Sequence, residues 1–171
     1  MSDTRRLFFA LWPDEPVRKQ LDAVARQYRP AKSRAIPRTN LHATLIFLGS
    51  MPETLLPDIV RAGALIQPRT FTLTLQHLQV WRKPQVLCLC PECVPTALQQ
   101  LHDELAAALH FHEISFDERS YRPHVTLARK VRQRVAVSQL PEAIDWPFSG
   151  FSLVESVSME RGVHYQPLHQ W

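Results

Sequence analysis

The chain has 171 residues, of which 45% are hydrophobic and 21% are charged, a composition typical of one soluble globular domain. Its apolar runs are too short to span a bilayer, and Pro13, Asp14 and Glu15 interrupt the first of them, so we expect no secretory signal, no membrane partner and a cytoplasmic location. The net charge of +4 favours a polyanionic partner.

The first part of the chain alternates between predicted strands and helices. In chain order these are a strand at 5–12, a helix at 14–28, a loop at 29–39, a strand at 41–48 and a helix at 53–66. Asp14 is placed to cap the first helix, and Pro16 suits its first turn.

The second part contains more strand than helix. The predicted elements are strands at 71–81 and 85–90, a helix at 96–109, a strand at 123–129, and terminal strands at 148–159 and 164–171 joined by residues 160–162. Interspersed helices and hairpins predict an α+β fold with a largely antiparallel sheet, formed by residues 1–171 as a single domain.

Two clusters of basic residues occupy predicted loops. They are Arg29, Lys32, Arg34 and Arg38 in the first loop, and Arg129, Lys130, Arg132 and Arg134 in the second. A lone basic cluster is usually only a solvated loop. Each of these, however, lies within a few residues of a His-x-Thr motif, which makes a site for a polyanion a reasonable alternative.

The three cysteines, Cys88, Cys90 and Cys93, fit neither a disulfide framework nor a complete zinc site. The alternation in this segment instead predicts that Cys88 and Cys90 are small buried side chains of a strand. A zinc protein built on the three cysteines remains an alternative that metal analysis can decide.

Two four-residue motifs carry the strongest chemical signal: His42-Ala-Thr44-Leu and His124-Val-Thr126-Leu, 82 residues apart. Shuffling the composition yields roughly 0.05 such His-x-Thr-Leu motifs. Residues i and i+2 of a strand point to the same face, so each motif presents an imidazole and a hydroxyl on one side and apolar residues on the other. If the two strands are neighbours, the polar faces line one cleft.

Such a cleft suits displacement at phosphorus. One histidine can act as a base and the other as an acid near neutral pH. The hydroxyls of Thr44 and Thr126 can donate hydrogen bonds to the non-bridging oxygens, and Arg129 can add a permanent positive charge. Neither motif has the ligand spacing of a metalloenzyme, so we expect no metal and no cofactor.

The motifs resemble those of the two-histidine phosphoesterase superfamily, and in particular the bacterial 2′–5′ RNA ligase-like RNA 2′,3′-cyclic phosphodiesterases. The resemblance extends over RRLFFAL at 5–11, N-L-H-x-T-L-x-F-L-G at 40–49, Y-x-P-H-V-T-L-x-R at 121–129 and G-x-x-Y-x-P-L-x-x-W at 162–171. It implies a two-lobed α+β fold, with a small antiparallel sheet and outer helices in each lobe and one motif from each lobe facing a central cleft.

The resemblance also implies a reaction. A terminal RNA 2′,3′-cyclic phosphate would be hydrolysed to a 2′-phosphate without metal or cofactor, and 2′–5′ RNA ligation would use the same chemistry in reverse. It suggests that His42 protonates the departing O3′ and that His124 activates water. Thr44, Thr126 and Arg129 map onto phosphate-binding positions, and either Phe8 or Phe9 would stack on a base. We expect a monomer that acts on RNA ends.

Two alternatives remain open besides the zinc protein. The cleft could prefer small cyclic or 2′–5′-linked nucleotides, which turnover on mononucleotides and oligonucleotides would separate. A non-catalytic RNA-binding module would explain the basic loops but not the matched histidines, and it would bind in a salt-dependent manner without turnover.

Overall fold

The computed structural model describes residues 3–67, 69–133, 135, 138–160 and 162–171. Arg134 of the second basic cluster and Arg161 of the predicted terminal turn lie outside the described residues. No helix within the described ranges is both long and apolar enough to cross a membrane.

The chain folds into nine strands and three α-helices within the part that the structure describes. The strands are β1 (Thr4–Leu11), β2 (Arg34–Ala35), β3 (Ala43–Pro52), β4 (Phe71–Trp81), β5 (Val86–Cys90), β6 (Val125–Arg129), β7 (Gln139–Phe148), β8 (Ser152–Met159) and β9 (Gly162–Gln170). The helices are α1 (Glu15–Tyr28), α2 (Leu56–Ala64) and α3 (Thr96–Phe111), with 3-10 turns at Arg38–Asn40 and Glu53–Leu55.

All the strands belong to one sheet, in the order β7-β4-β5-β6-β3-β1-β8-β9, with β2 beside β6. Every described pairing is antiparallel, which confirms the predicted mainly antiparallel α+β class. We expected a separate small sheet in each of two lobes. Instead, two halves of the sheet, β7-β4-β5-β6 and β3-β1-β8-β9, are joined by the single pair Ala43 and Val125.

Helix α1 begins where the sequence predicts. The Asp14 carboxylate accepts a hydrogen bond from the Val17 backbone N–H at 3.0 Å, which satisfies one of the unpaired donors of the first turn. Its buried residues Val17, Leu21 and Ala25 recur at helical spacing. Helix α1 follows β1 of one half of the sheet but packs against β6 and β7 of the other half, so the chain crosses the central junction at this point.

One large hydrophobic cluster lies beneath the centre of the sheet. It includes Ala43 and Leu45 of β3 and Val125 and Leu127 of β6, each at most 3% exposed. The alternating residues of the same strands therefore point to the opposite face. This packing fixes which way the two motif histidines and threonines face.

Candidate active site

The two histidine motifs meet at the central junction of the sheet. His42 immediately precedes Ala43, and His124 immediately precedes Val125, the two residues that pair across β3 and β6. With that antiparallel register, His42 stands across from Thr126, and Thr44 stands across from His124. The junction thus brings together the four polar side chains that the sequence predicts to share a cleft.

These four side chains line a cleft of about 180 Å³ on the polar face of the sheet. Its walls come from both halves of the sheet and from the segment before the first motif. The lining residues are Arg6, Phe8, Ile36, Asn40, His42, Thr44, Phe47, His124, Thr126, Arg129, Ser156 and Tyr165. The cleft therefore has two imidazoles, hydroxyls, two guanidinium groups and aromatic rings, a set suited to a nucleotide phosphate.

His42 is half-buried among three aromatic rings. Its ring centroid lies 4.9 Å from that of Phe8, 5.1 Å from Tyr165, which meets it edge-on, and 5.8 Å from Trp12, which is nearly parallel to it. The rings come from β1, from the residue that follows β1 and from β9. They hold the imidazole plane in one orientation and remove water from its faces.

Hydrogen bonds define the tautomer of His42. Its Nδ1 lies 2.7 Å from the carbonyl oxygen of Asn40, and since a carbonyl only accepts, Nδ1–H donates. In the neutral ring, Nε2 then carries the lone pair, and it lies 3.0 Å from the Thr44 hydroxyl. Thr44 thereby connects to the nitrogen that would exchange a proton with a ligand in the cleft.

Asn40 holds the turn that presents His42. Its side chain is only 4% exposed, its amide Nδ2 donates to the Val163 carbonyl at 2.7 Å, and its Oδ1 accepts from the Tyr165 backbone N–H at 3.2 Å. Both contacts are with β9, so one buried amide fixes the Asn40 carbonyl relative to the ring of Tyr165. Asn40 is therefore a positioning residue for His42.

His124 is oriented in a similar way but by a more exposed partner. Its Nδ1 donates to the Arg122 carbonyl at 2.7 Å, which again leaves Nε2 as the available nitrogen. One ring, that of Trp81, lies 4.4 Å from its centroid. The Arg122 guanidinium covers the Trp81 ring, with its central carbon 4.4 Å from the centroid.

Both imidazoles have lowered pKa values. Burial, together with the nearby positive charges of His124 and Arg129, lowers the pKa of His42 to about 4, while the Asn40 carbonyl opposes the shift. Burial also lowers the pKa of His124, as do the charges of Arg122 and Arg129, and the Arg122 carbonyl opposes this. At neutral pH, both Nε2 atoms are therefore available as proton acceptors when the cleft is empty.

The comparisons with known proteins agree with this geometry. The model of the 2′-5′ RNA ligase superfamily matches residues 13–162. A protein of Escherichia coli K12 named RNA 2′,3′-cyclic phosphodiesterase is 30% identical over 175 residues, which cover 100% of this chain and 98% of that protein. The chain belongs to the 2′-5′ RNA ligase superfamily.

Further members of the superfamily match along nearly the whole chain. An RNA 2′,3′-cyclic phosphodiesterase of Thermus thermophilus is 28% identical over 181 residues, covering 97% of this chain and 89% of the relative. The crystal structure of Escherichia coli LigT complexed with 3′-AMP superimposes with a TM-score of 0.89 at 27% identity and covers 99% of this chain and 98% of that chain. The family resemblance inferred from the two motifs is thus confirmed.

The two phenylalanines of β1 have different positions in this superfamily member. Phe8 lines the cleft beside His42, whereas Phe9 is fully buried in the main core against Phe151 and Trp171, with centroids 6.1 and 5.9 Å away. Successive strand residues face opposite sides of the sheet, so Phe9 points away from the cleft. Because it is fully buried, it is inaccessible to a base. Phe8 is itself only 3% exposed, and its ring centroid lies 4.9 Å from that of His42 and 5.0 Å from that of Tyr165.

The two buried cysteines pack beside Trp81 on the cleft face of the sheet, but no cysteine lines the cleft. Cys88 and Cys90 are buried on β5, as predicted, and Cys93 is exposed. Cys88 pairs with Thr126 across β5 and β6, and burial together with Cys90 raises the pKa of its thiol to about 12. Within the described ranges, no group of three or more His, Cys, Asp or Glu side chains is placed to hold a metal ion.

Several residues that line the cleft or pack against its histidines were not predicted as site residues. Asn40 and Tyr165 belong to the N-L-H and G-x-x-Y segments of the family pattern, which is the signal that could have identified them. Trp12 and Trp81 carry no comparable signal, because each lies at the end of an apolar strand where an aromatic side chain is common. Arg6 lines the cleft with its guanidinium carbon 4.7 Å from the Phe47 ring, which only the folded register reveals.

Proposed function

We propose that this chain is an RNA 2′,3′-cyclic phosphodiesterase that opens a terminal cyclic phosphate to a 2′-phosphate, with His42 and His124 as a general acid–base pair. The observation that carries the proposal is that both motifs meet at one residue pair and direct two Nε2 atoms into one cleft. The names of the relatives support the same activity.

The reaction is an in-line displacement at phosphorus. The oxygen of a water molecule attacks the phosphorus while one imidazole accepts its proton, and the P–O3′ bond breaks while the other imidazole gives a proton to O3′. The products are a 2′-phosphomonoester and a free 3′-hydroxyl. Thr44, Thr126 and Arg129 stabilise the charge that builds on the non-bridging oxygens.

Because both pKa values are lowered, the negative charge of the substrate must help one imidazole to hold the proton that it gives to O3′. Both imidazoles are neutral in the empty cleft near pH 7, because burial and Arg129 disfavour their charged forms. A cyclic phosphate brings one negative charge into the cleft, which raises both pKa values and favours one protonated ring. Binding and protonation are therefore coupled.

For the division of roles we keep the assignment that the family resemblance suggests, with His42 as the acid and His124 as the base. The opposite division is a second candidate, favoured by the pKa of about 4 for His42, which suits a base. A cyclic phosphate with sulfur in place of O3′ distinguishes them, because a thiolate leaves without a proton. Under the first assignment, this substrate restores turnover to His42→Ala but not to His124→Ala.

Further expectations about the molecule remain proposals. We propose that residues 1–171 act as one bilobal unit, as a monomer in the cytoplasm, without metal or cofactor. The same site would carry out 2′–5′ RNA ligation when an RNA hydroxyl, rather than water, attacks the cyclic phosphate, and the reverse of that step would cleave a 2′–5′ linkage.

Product analysis with a cyclic-phosphate-ended oligonucleotide in the presence of a chelator tests the proposed function. We expect a 2′-phosphate end from the wild type and a loss of about 10²–10⁴-fold in kcat for His42→Ala and for His124→Ala. His110→Ala, on the exposed end of α3, is the matched control and should keep wild-type turnover. Full activity of both cleft variants would refute the proposal, and tight, salt-dependent binding without turnover would favour the RNA-binding module.

A further inference from the structure

A second, basic cavity lies beside the cleft. It has a volume of about 340 Å³ and is lined by residues from two short segments, 30–33 and 130–133. We call it the basic groove and define its cations as Lys32, Lys130 and Arg132. The groove unites parts of the two basic clusters that are about a hundred residues apart in the sequence.

The groove and the cleft are lined by neighbouring residues of the same two segments of the chain. Strand β2 pairs with the end of β6, with Arg34 opposite Arg129, and the Ile36 N–H donates to the Leu127 carbonyl at 3.1 Å. Ile36 and Arg129 line the cleft, and Lys130, the next residue, lines the groove. Since a strand rises about 3.3 Å per residue, the groove begins roughly 13 Å along the chain from Thr126.

The charge of the groove is not neutralised within the part of the chain that the structure describes. Six arginines elsewhere form ion pairs with carboxylates: Arg5, Arg26, Arg38, Arg61, Arg69 and Arg119. Within the same described ranges, no such pair involves Lys32, Lys130 or Arg132. None of the described lining residues of the groove is acidic. The groove is therefore a region of positive potential that an anion can occupy without displacing a carboxylate.

The backbone conformation of Lys130, where the groove adjoins the cleft, is a second indication of a binding site. Lys130 has φ 58°, in the left-handed region that a long side chain rarely adopts. The adjacent Val131 N–H donates to the Gln85 carbonyl at 3.0 Å, which holds this conformation. Residues kept in such conformations are often found at binding sites, where the turn places a side chain.

We propose that the basic groove is a binding site for the backbone phosphates upstream of the RNA end whose terminal phosphate occupies the cleft. This inference rests on the proposed function, and it assigns an RNA oligonucleotide rather than a mononucleotide as the preferred substrate class. Two or three phosphates would contact Lys32, Lys130 and Arg132, which supply charge without reading the bases. The terminal phosphate would still be held by Thr44, Thr126 and Arg129.

The test removes the groove charges without altering the cleft. The groove variant combines Lys32→Gln, Lys130→Asn and Arg132→Gln, with Asn chosen at position 130 because it tolerates the left-handed conformation. The control variant combines Lys19→Gln, Arg26→Gln and Arg61→Gln, exposed positions on α1 and α2, and removes the same net charge.

Binding is measured with a fluorescent hexauridylate that lacks a cyclic phosphate, over a range of salt concentrations. For the groove variant we expect about tenfold or greater loss of affinity at low salt, and a salt slope smaller by about 2, because each single-strand phosphate contact contributes about 0.7. The control variant should bind like the wild type. Unchanged binding of the groove variant, or equal loss in both variants, would overturn the proposal.

Turnover separates this proposal from the proposed function. Uridine 2′,3′-cyclic phosphate reaches only the cleft, so the groove variant should keep its wild-type kcat/KM on it, which also establishes that the variant is folded. On a hexanucleotide with a cyclic phosphate end, its KM should rise about tenfold with kcat unchanged. If the wild type turned over neither substrate, the proposed function would fail, while the hexauridylate binding would still decide the groove.

Discussion

The two imidazoles of the cleft belong to two copies of one motif but lie in different surroundings. His42 is enclosed by Phe8, Trp12 and Tyr165, and its carbonyl partner belongs to a buried asparagine. His124 has one aromatic neighbour, Trp81, and its carbonyl partner belongs to an exposed arginine. A repeated motif therefore defines the reacting groups, whereas the residues around each motif set how firmly the group is held and how readily it takes up a proton.

Each motif and the residues around it form one half-site of the cleft. The two half-sites should differ most in how much kcat depends on the motif threonine. The Thr44 hydroxyl lies 3.0 Å from Nε2 of His42, whereas Thr126 pairs across the sheet with Cys88. We expect Thr126→Val to lower kcat by about 10²-fold, the effect of losing one donor to the transition state, and Thr44→Val to lower it by about 10²–10³-fold, because the His42 ring also loses a partner.

Steady-state kinetics on a mononucleotide cyclic phosphate measures both effects. Thr44→Ser and Thr126→Ser keep the hydroxyls and serve as controls. A larger loss for Thr126→Val than for Thr44→Val would show that the half-sites do not differ in the way described.

Arg129 acts on both half-sites at once. Its charge lowers the pKa of His42 and of His124, so the variant Arg129→Gln should raise both. Protonated imidazole is the charged form, and both limbs of the pH profile of kcat/KM, which lie below about pH 6.5 in the wild type, should therefore move to higher pH. We also expect kcat/KM at its optimum to fall by about 10–100-fold, because the phosphate loses a charged hydrogen-bond donor.

The pH profile is the decisive part of this measurement, with Arg129→Lys as the variant that keeps the charge. Limbs that stay in place after the charge is removed would contradict the assigned cause of the pKa shifts.

Smaller effects are expected for Asn40 and Arg122, the residues whose carbonyl oxygens orient His42 and His124. Asn40→Ala removes two hydrogen bonds of a buried amide and leaves the Val163 carbonyl and the Tyr165 N–H without their partner, so we expect a loss of about 1–3 kcal/mol in the free energy of unfolding. It should also lower kcat by about tenfold, since His42 loses its fixed orientation. Arg122→Ala keeps the carbonyl that binds His124 and should change stability by about 0.5 kcal/mol or less.

Denaturant unfolding and a separate determination of kcat and KM measure these effects. If Arg122→Ala proved as destabilising as Asn40→Ala, the contrast between a buried and an exposed support would be wrong.

Much of the fold follows from local patterns in the sequence, but some elements do not. Strand β4 and the cap at Asp14 follow from alternation and from capping chemistry. Strand β7 was not predicted, because it contains Pro141 and Pro147, and proline is unfavourable in most strands. It is tolerated here because β7 is the outermost strand of its half of the sheet.

The candidate site likewise combines features that local sequence patterns predict with features that they do not. The facing of His42 with Thr44 and of His124 with Thr126 follows from strand periodicity, and one paired residue then brings the motifs together. Periodicity alone could not decide between Phe8 and Phe9, since both faces of β1 are apolar. Trp12, Tyr165 and Trp81 reach the histidines only through long-range pairing, which local sequence does not encode.

The central claim is that His42 and His124 act on opposite sides of one phosphorus atom. A crystal structure of the chain with a uridine–vanadate complex, in which vanadium takes the place of phosphorus at the transition state, tests it most directly. We expect the two Nε2 atoms to lie about 2.6–3.2 Å from the two opposite apical oxygens. A structure in which both imidazoles contact the same side of the vanadium, or in which one of them contacts no vanadate oxygen, would contradict the account.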